Sequence, residues 1–377
     1  MHTSEVTDPT SDSMPARPPL VSDPDLVTPE WMTTVLRHAG VIEAATQVAS
    51  FETSAIGTGQ VGANVRYRLA YTGSGTGPDT VVCKFASHDE TSRAAGIATL
   101  TYETEVAFFR DLAHTVEISR PQCYFADIRP GTAEVALVME DLAPAEQGDQ
   151  IAGCTVAEAT LAVDEAARLH GPRWGDSSLS TMPWLDRSDS AGGMAAMFGA
   201  VWEAFADRYR ATLTPVALEI GPHLPEFLST LRTDTSTVRT PVHGDYRLDN
   251  MLFDPAGEGR PLTVVDWQTV QLGVGPSDIA YFLGSAFEPD VRRSCEEELL
   301  TNYHRVLVAD YGVADYPFDQ CWRDYARASY SCLAMAVFAS MIVGRTARGD
   351  EMFMAMANRS AQMGADLDAP SLIRAAG

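Results

Sequence analysis

The feature that most restricts the fold of this chain is the segment from Pro241 to Asp254, whose centre reads H-G-D-x-x-x-x-N. An apolar run, Leu262 to Val265, follows it and ends at an acid, Asp266. An apolar run, a polar loop, a second apolar run and an acid together predict a strand–loop–strand unit. Such a unit brings Asp245, Asn250 and Asp266 to one rim.

These three side chains have the chemistry that phosphoryl transfer requires. One carboxylate, Asp245, accepts the proton of the attacking hydroxyl, while the amide oxygen of Asn250 and the carboxylate of Asp266 hold the Mg²⁺ that bridges the phosphates. Asp and Asn five positions apart, with an Asp after the next strand, is the catalytic-loop pattern of kinases. The alternative is a plain hairpin, because both residue types also favour turns.

The block resembles the aminoglycoside phosphotransferase and choline kinase group, small-molecule relatives of the protein kinases. Gly244 stands where protein kinases carry Arg, and Asp266-Trp267-Gln268 replaces Asp-Phe-Gly. This variant is similar to the ecdysteroid kinase-like branch and its bacterial relatives. The resemblance covers residues from about 50 to 340. It implies a kinase-like α+β fold, in which a small N-lobe of antiparallel strands joins a larger, mostly helical C-lobe, with ATP in the cleft.

A glycine-rich turn and a lysine lie upstream in the chain. Gly57, Gly59 and Gly62 give G-x-G-x-x-G between two strand-like segments. Without a Cβ, such a turn lets backbone N–H groups approach phosphates closely, although a plain hairpin loop has the same pattern. The next predicted strand, Thr80 to Phe85, carries Lys84 among apolar neighbours, so its charge needs a partner.

The resemblance assigns roles to the N-lobe residues. It implies that Lys84 pairs the α- and β-phosphates of ATP and a glutamate on a helix. Glu105 matches the position of that glutamate, and Glu103 is the alternative. It also implies a hinge at Glu140 and Leu142, where backbone groups hold adenine. The nucleotide site is therefore predicted at the glycine turn, Lys84, Glu105 and this hinge.

The chain is expected to contain three regions. Residues 1–25, rich in Ser, Thr, Pro and Asp, are predicted to be a disordered tail without the apolar core of a signal peptide. Residues 26–142 are assigned to the ATP-binding N-lobe and residues 143–377 to the catalytic and acceptor-binding C-lobe. Within the C-lobe, the spacing Thr155-x-x-Glu158 predicts a capping box at the start of a helix.

An insertion of the C-lobe, about residues 172 to 240, carries large apolar side chains at partly helical spacing. They are Met182, Trp184, Met194, Met197, Phe198, Trp202, Phe205 and Tyr209. Two interpretations stay open: an apolar wall of the acceptor pocket, or a helix that packs on the lobe.

The net charge and the cysteine content restrict the class of binding partner and the cellular compartment that the sequence predicts. The net charge of −24 argues against a nucleic-acid partner, because binding to a phosphate backbone requires a basic face. The six cysteines form no C-x-x-C pair and mostly lie in apolar runs, which indicates reduced thiols and a cytoplasmic location. Residues 328–344 carry no charge, but they are short for a membrane span and contain serines, so a buried helix is expected there.

The sequence thus predicts a kinase that uses ATP and Mg²⁺ to phosphorylate a hydroxyl group of a small molecule, preferably an apolar-bodied alcohol. Aminoglycoside O-phosphotransfer is the alternative reaction. A non-catalytic nucleotide-binding protein is the alternative from another class. A protein kinase is disfavoured, because Ser277 lies only eleven positions after Asp266 and no Ala-Pro-Glu element follows. The oligomeric state and the choice between ATP and GTP stay open.

Overall fold

The computed structural model describes residues 17–57, 62–73, 75–186, 188–227, 238–257 and 259–374. The chain divides into two compact units. The first contains the described residues up to Ala86, together with Gln122–Arg129 and Glu134–Asp141, and the second contains the rest. Residues 87–121, which the sequence assigned to the N-lobe, group with the second unit, so the division differs there from the expected lobe boundary.

The first unit is built around an antiparallel sheet, whose described strands run in the order β1-β2-β3-β5-β4. The strands are β1 (Val48–Ile56), β2 (Gly62–Tyr71), β3 (Thr80–Ala86), β4 (Cys123–Ile128) and β5 (Val135–Glu140). Val81, Cys83 and Phe85 alternate along β3 and are buried in the core of this unit, since successive side chains of a strand point to opposite faces. Helix α1 (Pro29–His38) adds Trp31 to the same core.

The second unit is mostly helical. Its described helices are α2 (Glu90–Ala98), α3 (Thr101–Ala107), α4 (Val156–His170), α5 (Ser188–Tyr209), α6 (Pro215–Ile220), α7 (Pro276–Ala286), α8 (Pro289–Tyr311), α9 (Phe318–Arg327), α10 (Ser331–Ile342), α11 (Ala347–Asp366) and α12 (Ala369–Arg374). A π-helical turn, Phe108–Leu112, continues α3. Helix α4 starts with the expected capping box, in which Thr155 and Glu158 each accept a hydrogen bond from the other's backbone N–H.

Two small sheets of this unit carry the segment with the kinase pattern. One contains β6 (Glu146–Gln147), β8 (Met251–Phe253) and β9 (Leu262–Val264), and the other pairs β7 (Thr240–Val242) with β10 (Gln271–Gly273). Met251 lies opposite Val264, and a hydrogen bond of 2.9 Å from the Val265 N–H to the Asn250 carbonyl extends this pairing. Val265 immediately precedes Asp266. The predicted strand–loop–strand unit therefore brings the backbone of Asn250 next to the residue before Asp266.

Helix α5 carries several of the aromatic residues of the apolar insertion, which were expected either to line the acceptor pocket or to pack on the lobe. Its residues Phe198, Trp202 and Phe205 are buried in an apolar cluster with residues of α10 and α11. Met197 is 64% exposed. The side chain of Met194 lies outside the described residues. The buried aromatic residues of α5 thus correspond to the packing interpretation, and they do not form a free apolar wall.

The uncharged segment, residues 328–344, contains α10, whose Leu333 and Val337 are buried in that same cluster. None of the helices in the described ranges is both long and apolar enough to cross a membrane. All six cysteines are free thiols, and four of them are buried. Burial raises the pKa of the Cys83 thiol well above its ordinary value, so it remains protonated.

Candidate active site

Asp278 anchors the loop that carries the predicted base. It lies in the first turn of α7, it is 1% exposed, and Gly275 occupies the cap position before it. Its Oδ2 accepts the N–H of His243 at 2.7 Å, and its Oδ1 accepts the N–H of Gly244 at 3.0 Å. His170 Nε2 lies 3.2 Å from the same Oδ2. A buried carboxylate with both oxygens bonded fixes the loop backbone, and it does not act as the cap of α7.

Gly244 is required by both the backbone and the space around it. Its φ is +79°, in the left-handed region that favours glycine. A Cβ at this position would lie 2.6 Å from the carbonyl oxygen of Thr269, a backbone atom. The glycine between the loop His and Asp therefore lets this loop pass close to the segment before β10.

Gly244→Ala should lower the free energy of unfolding by about 2–4 kcal/mol, since left-handed backbone strain adds to steric overlap with Thr269. Gly40→Ala is the matched control, because Gly40 has a φ of +68° and no atom within 4 Å of a built Cβ. We expect that control to cost about 1 kcal/mol. Urea denaturation measures both variants. Equal losses in the two would contradict the assigned contact.

His243 braces the loop from the other side. Its Nε2 lies 3.1 Å from the carbonyl oxygen of Val265, so Nε2 carries the proton and donates. Its Nδ1 then accepts the N–H of Asp245 at 3.3 Å. Both ring nitrogens are engaged with the backbone, which leaves the base role to Asp245.

The carboxylate of Asp245 is held by three side chains. Its Oδ1 accepts the hydroxyl of Tyr281 at 2.7 Å, and its Oδ2 accepts Nδ2 of Asn250 at 2.9 Å. Nε of Arg247 lies 3.0 Å from both oxygens. Tyr281 and Arg247 were not among the predicted site residues. The position of Arg247, two residues after the predicted base, was the available signal for one of them.

These contacts set the ionisation of Asp245. Burial raises the pKa of its carboxyl, but the charge of Arg247 and the hydrogen bonds from Tyr281 and Arg247 outweigh burial, and the pKa lies below its ordinary value. The side chain is 19% exposed. Asp245 therefore carries an ionised, partly exposed and oriented carboxylate at neutral pH, as the predicted base role requires.

The side chains of Asn250 and Asp266 are of the types that magnesium prefers. Asn250 is 5% exposed, and its Nδ2 donates to both the carbonyl and the carboxylate of Asp245, which leaves its amide oxygen for a cation. Asp266 has a φ of +66°, a conformation that Asp adopts more readily than most residues. In the described ranges, no group of three or more His, Cys, Asp or Glu side chains could hold a metal. An amide and a carboxylate nevertheless suit Mg²⁺, which completes its shell with water and phosphate oxygens.

The predicted nucleotide residues are described within their own units. In the first unit, Lys84 is 8% exposed on β3, and its Cε lies 3.0 Å from where a Cβ on Gly62 would stand. In the second unit, Glu105 is buried on α3, whereas Glu103 is half-buried and accepts the N–H of Gly131 at 2.7 Å. This difference favours Glu105 over Glu103. Their pairing with Lys84 stays a prediction.

The predicted glycine loop and hinge are partly described. Gly57 has a φ of +75°, and Gly59 lies outside the described residues. Glu140 donates its N–H to the carbonyl of Gln122 at 2.8 Å, and its carboxylate accepts the Gln122 N–H at 2.9 Å. The Leu142 carbonyl accepts the N–H of Ala145 at 2.9 Å. The binding of adenine at Glu140 and Leu142 stays a prediction.

Comparison with known proteins bears on the predicted family and fold. The Ecdysteroid kinase-like family matches residues 193–316, which include the H-G-D-x-x-x-x-N loop and Asp266. Acyl-CoA dehydrogenase family member 11 of Pongo abelii is 26% identical over 35% of this chain and 18% of its own length. Family member 10 of Mus musculus is 30% identical over 28% of this chain and 11% of its own length. These matches thus span less than a fifth of either relative.

Among solved structures, choline kinase from Cryptosporidium parvum aligns with a TM-score of 0.51 and 10% identity, covering 85% of this chain and 91% of that one. At this identity the likeness concerns the fold, and it confirms the predicted kinase-like, two-lobed α+β architecture. The predicted resemblance is supported with it: residues 193–316, which contain the catalytic segment, match the ecdysteroid kinase-like family, and the fold is similar to that of a choline kinase.

Proposed function

We propose that this chain is an ATP-dependent kinase that transfers the γ-phosphoryl group to a hydroxyl of a small molecule. The observation that carries the proposal is the Asp245 carboxylate, which is ionised, 19% exposed and oriented by Tyr281, Arg247 and Asn250. A carboxylate held in this way can orient a hydroxyl and accept its proton during phosphoryl transfer.

In the proposed reaction, the acceptor hydroxyl donates a hydrogen bond to Asp245. Its oxygen forms a bond to the γ-phosphorus while the bond from that phosphorus to the bridging oxygen breaks, and ADP leaves. The proton passes to Asp245 late, because the transition state is loose and a weakly basic carboxylate suffices. Asn250 and Asp266 would hold Mg²⁺, which neutralises phosphate charge when bound. Lys84, fixed by Glu105, is assigned to the phosphates.

A panel of hydroxylated metabolites tests this function. ADP release with ATP and Mg²⁺ should appear only with a cognate acceptor above the slow background of hydrolysis. Nucleotide binding without ADP release for any acceptor would instead support the non-catalytic alternative. The same panel with GTP determines the nucleotide preference.

The charges around Asp245 favour an acceptor without ammonium groups. Asp245 is paired with Arg247, and the neighbouring Asp249 is paired with both Arg247 and Arg348. A polycationic aminoglycoside needs several carboxylates to replace water around its ammonium groups. Carboxylates that already face guanidinium groups are poorly suited to this task. We therefore propose an alcohol with an apolar body as the acceptor, and aminoglycoside phosphotransfer remains the alternative.

Lipophilic alcohols, sterols included, should give kcat/KM values about tenfold or more above those of kanamycin-type amines, because the paired acids offer little compensation for desolvated ammonium groups. A coupled ADP-release assay measures both series under identical conditions. A neutral, hydroxyl-rich sugar is the control for the number of hydroxyls. Efficient turnover of the amines alone would refute this assignment of the acceptor.

A further inference from the structure

We propose that Arg247 is a positioning residue for Asp245, and that Asp249 and Arg348 hold it in place. The four side chains alternate in charge and run from the candidate base to the start of α11. This inference rests on the proposed function, since it assigns a task to residues beside the proposed base.

We call the side chains of Asp245, Arg247, Asp249 and Arg348 the ladder. Its first contact fixes the plane of the Asp245 carboxylate. Nε of Arg247 lies 3.0 Å from each carboxylate oxygen of Asp245, so a single N–H bridges both oxygens. The two side chains are 18% and 19% exposed, which places the pair where water screens it only partly. Asp245 also raises the pKa of Arg247 above its ordinary value despite burial, so the guanidinium stays charged.

The second contact fixes the guanidinium. Nη1 of Arg247 donates to Oδ2 of Asp249 at 2.9 Å, and it lies 3.3 Å from Sδ of Met352. Asp249 is itself 9% exposed, and its Oδ1 accepts the N–H of Gln150 at 3.2 Å. A guanidinium is a planar fork, so contacts at Nε and Nη1 define its orientation.

The third contact ties the ladder to a helix. Arg348 donates through Nη2 to Oδ1 of Asp249 at 3.1 Å and through Nη1 to Oδ2 at 3.3 Å. Arg348 lies in the first turn of α11, where the helix dipole disfavours a cation. Four residues on, Met352 lies on the same side of α11, so two residues of one face contact the ladder. The pairing with Asp249 offsets this unfavourable position.

Arg247 could alternatively act on the nucleotide as a phosphate ligand. The geometry favours the positioning role, because Nε and Nη1 are both directed at carboxylates. The two roles predict different kinetics. Loss of a phosphate ligand raises the KM for ATP, whereas misplacement of the base lowers kcat.

The experiment compares Arg247→Lys and Arg348→Gln with wild type, using ADP release with an acceptor that wild type turns over. Lysine keeps the charge of Arg247 but lacks the fork, so we expect kcat to fall roughly 10- to 100-fold, with KM for ATP within about twofold of wild type. Arg348→Gln should give a smaller fall, and it should add nothing in the Arg247→Lys background if it acts through Arg247. Arg345→Gln, which removes an exposed pair with Asp350, is the matched control and should leave both constants unchanged.

Hydrogen exchange of the peptide that covers residues 243–253 provides a readout independent of activity. Both ladder variants should speed exchange there, and the control should not. Arg348 is 48% exposed, so Arg348→Gln keeps the test available if Arg247→Lys does not fold. Faster exchange in a protein that transfers no phosphate would uphold the ladder and reject the proposed function. Unchanged exchange, fully additive losses, or a raised KM at constant kcat would each overturn the positioning role.

Discussion

Asp245→Asn is expected to lower kcat by about 10²–10⁴-fold, the range for loss of a positioned general base. The amide keeps the shape of the side chain but cannot take the proton of the acceptor. The binding of ATP with Mg²⁺ should stay near that of wild type, since Asp245 is assigned to the acceptor and not to the metal. Steady-state ADP release and an ATP titration by thermal shift measure the two quantities.

Asp245→Asn should also destabilise the folded protein, because the amide cannot keep all the contacts of the carboxylate. Nε of Arg247 donates to both carboxylate oxygens, so the new NH2 group meets a donor in either orientation. Loss of this charged pairing should also lower the free energy of unfolding by about 1–3 kcal/mol. Asp207→Asn, at a side chain that is 81% exposed, is the control for both measurements. If the Asp245 variant retained most of its kcat with a cognate acceptor, the assignment of the base would be wrong.

Asp266→Ala is expected to remove the Mg²⁺-dependent part of nucleotide binding. At a ligand concentration of about 100 times Kd, wild type should gain roughly 2.7 kcal/mol of stability from ATP with Mg²⁺, and the variant should lose most of this gain. The carboxylate is assigned to the cation, and neutral alanine offers no replacement. Thermal-shift titrations with ATP in the presence and absence of Mg²⁺ measure the difference.

The backbone at Asp266 requires two further variants. Its φ of +66° is unfavourable for alanine, so Asp266→Ala also strains the loop. Asp266→Asn removes the charge with a residue that tolerates this conformation, and it should show the same loss of Mg²⁺ dependence. Asp368→Ala, at a φ of +50°, controls for backbone strain away from the site, although it also removes the exposed hydrogen bond that Ser371 donates to the Asp368 carboxylate. Equal stabilisation by ATP with Mg²⁺ in wild type and in Asp266→Asn would eliminate the metal assignment.

Much of the site could be predicted because its signals are local in the chain. The H-G-D-x-x-x-x-N spacing and the flanking apolar runs placed Asn250 in a loop before β8 and Asp266 just after the next strand, and in the structure Asp266 lies two residues beyond the end of β9. The capping box at Thr155 and Glu158 likewise depends on residues three positions apart. Such features follow from backbone geometry over a few residues, so sequence alone determines them.

The orientation of the base was decided by tertiary structure. Tyr281 reaches Asp245 from 36 positions away, and Arg348 reaches Asp249 from 99 positions away. Nothing in either neighbourhood marks these partners, because a Tyr in an apolar helix and an Arg in a first helical turn each have many ordinary uses. Only the packing of α7 and α11 against the loop brings the side chains together.

The apolar insertion also shows that tertiary partners cannot be predicted from sequence alone. Sequence determined that Phe198, Trp202 and Phe205 form one apolar face of a helix, but not what that face covers. The structure buries them with residues of α10 and α11. The hydrophobic effect is proportional to buried area and has no direction, so a stripe of apolar residues specifies burial without naming its partner. Hydrogen bonds and ion pairs are directional, and their partners become known only when the helices that carry them are packed.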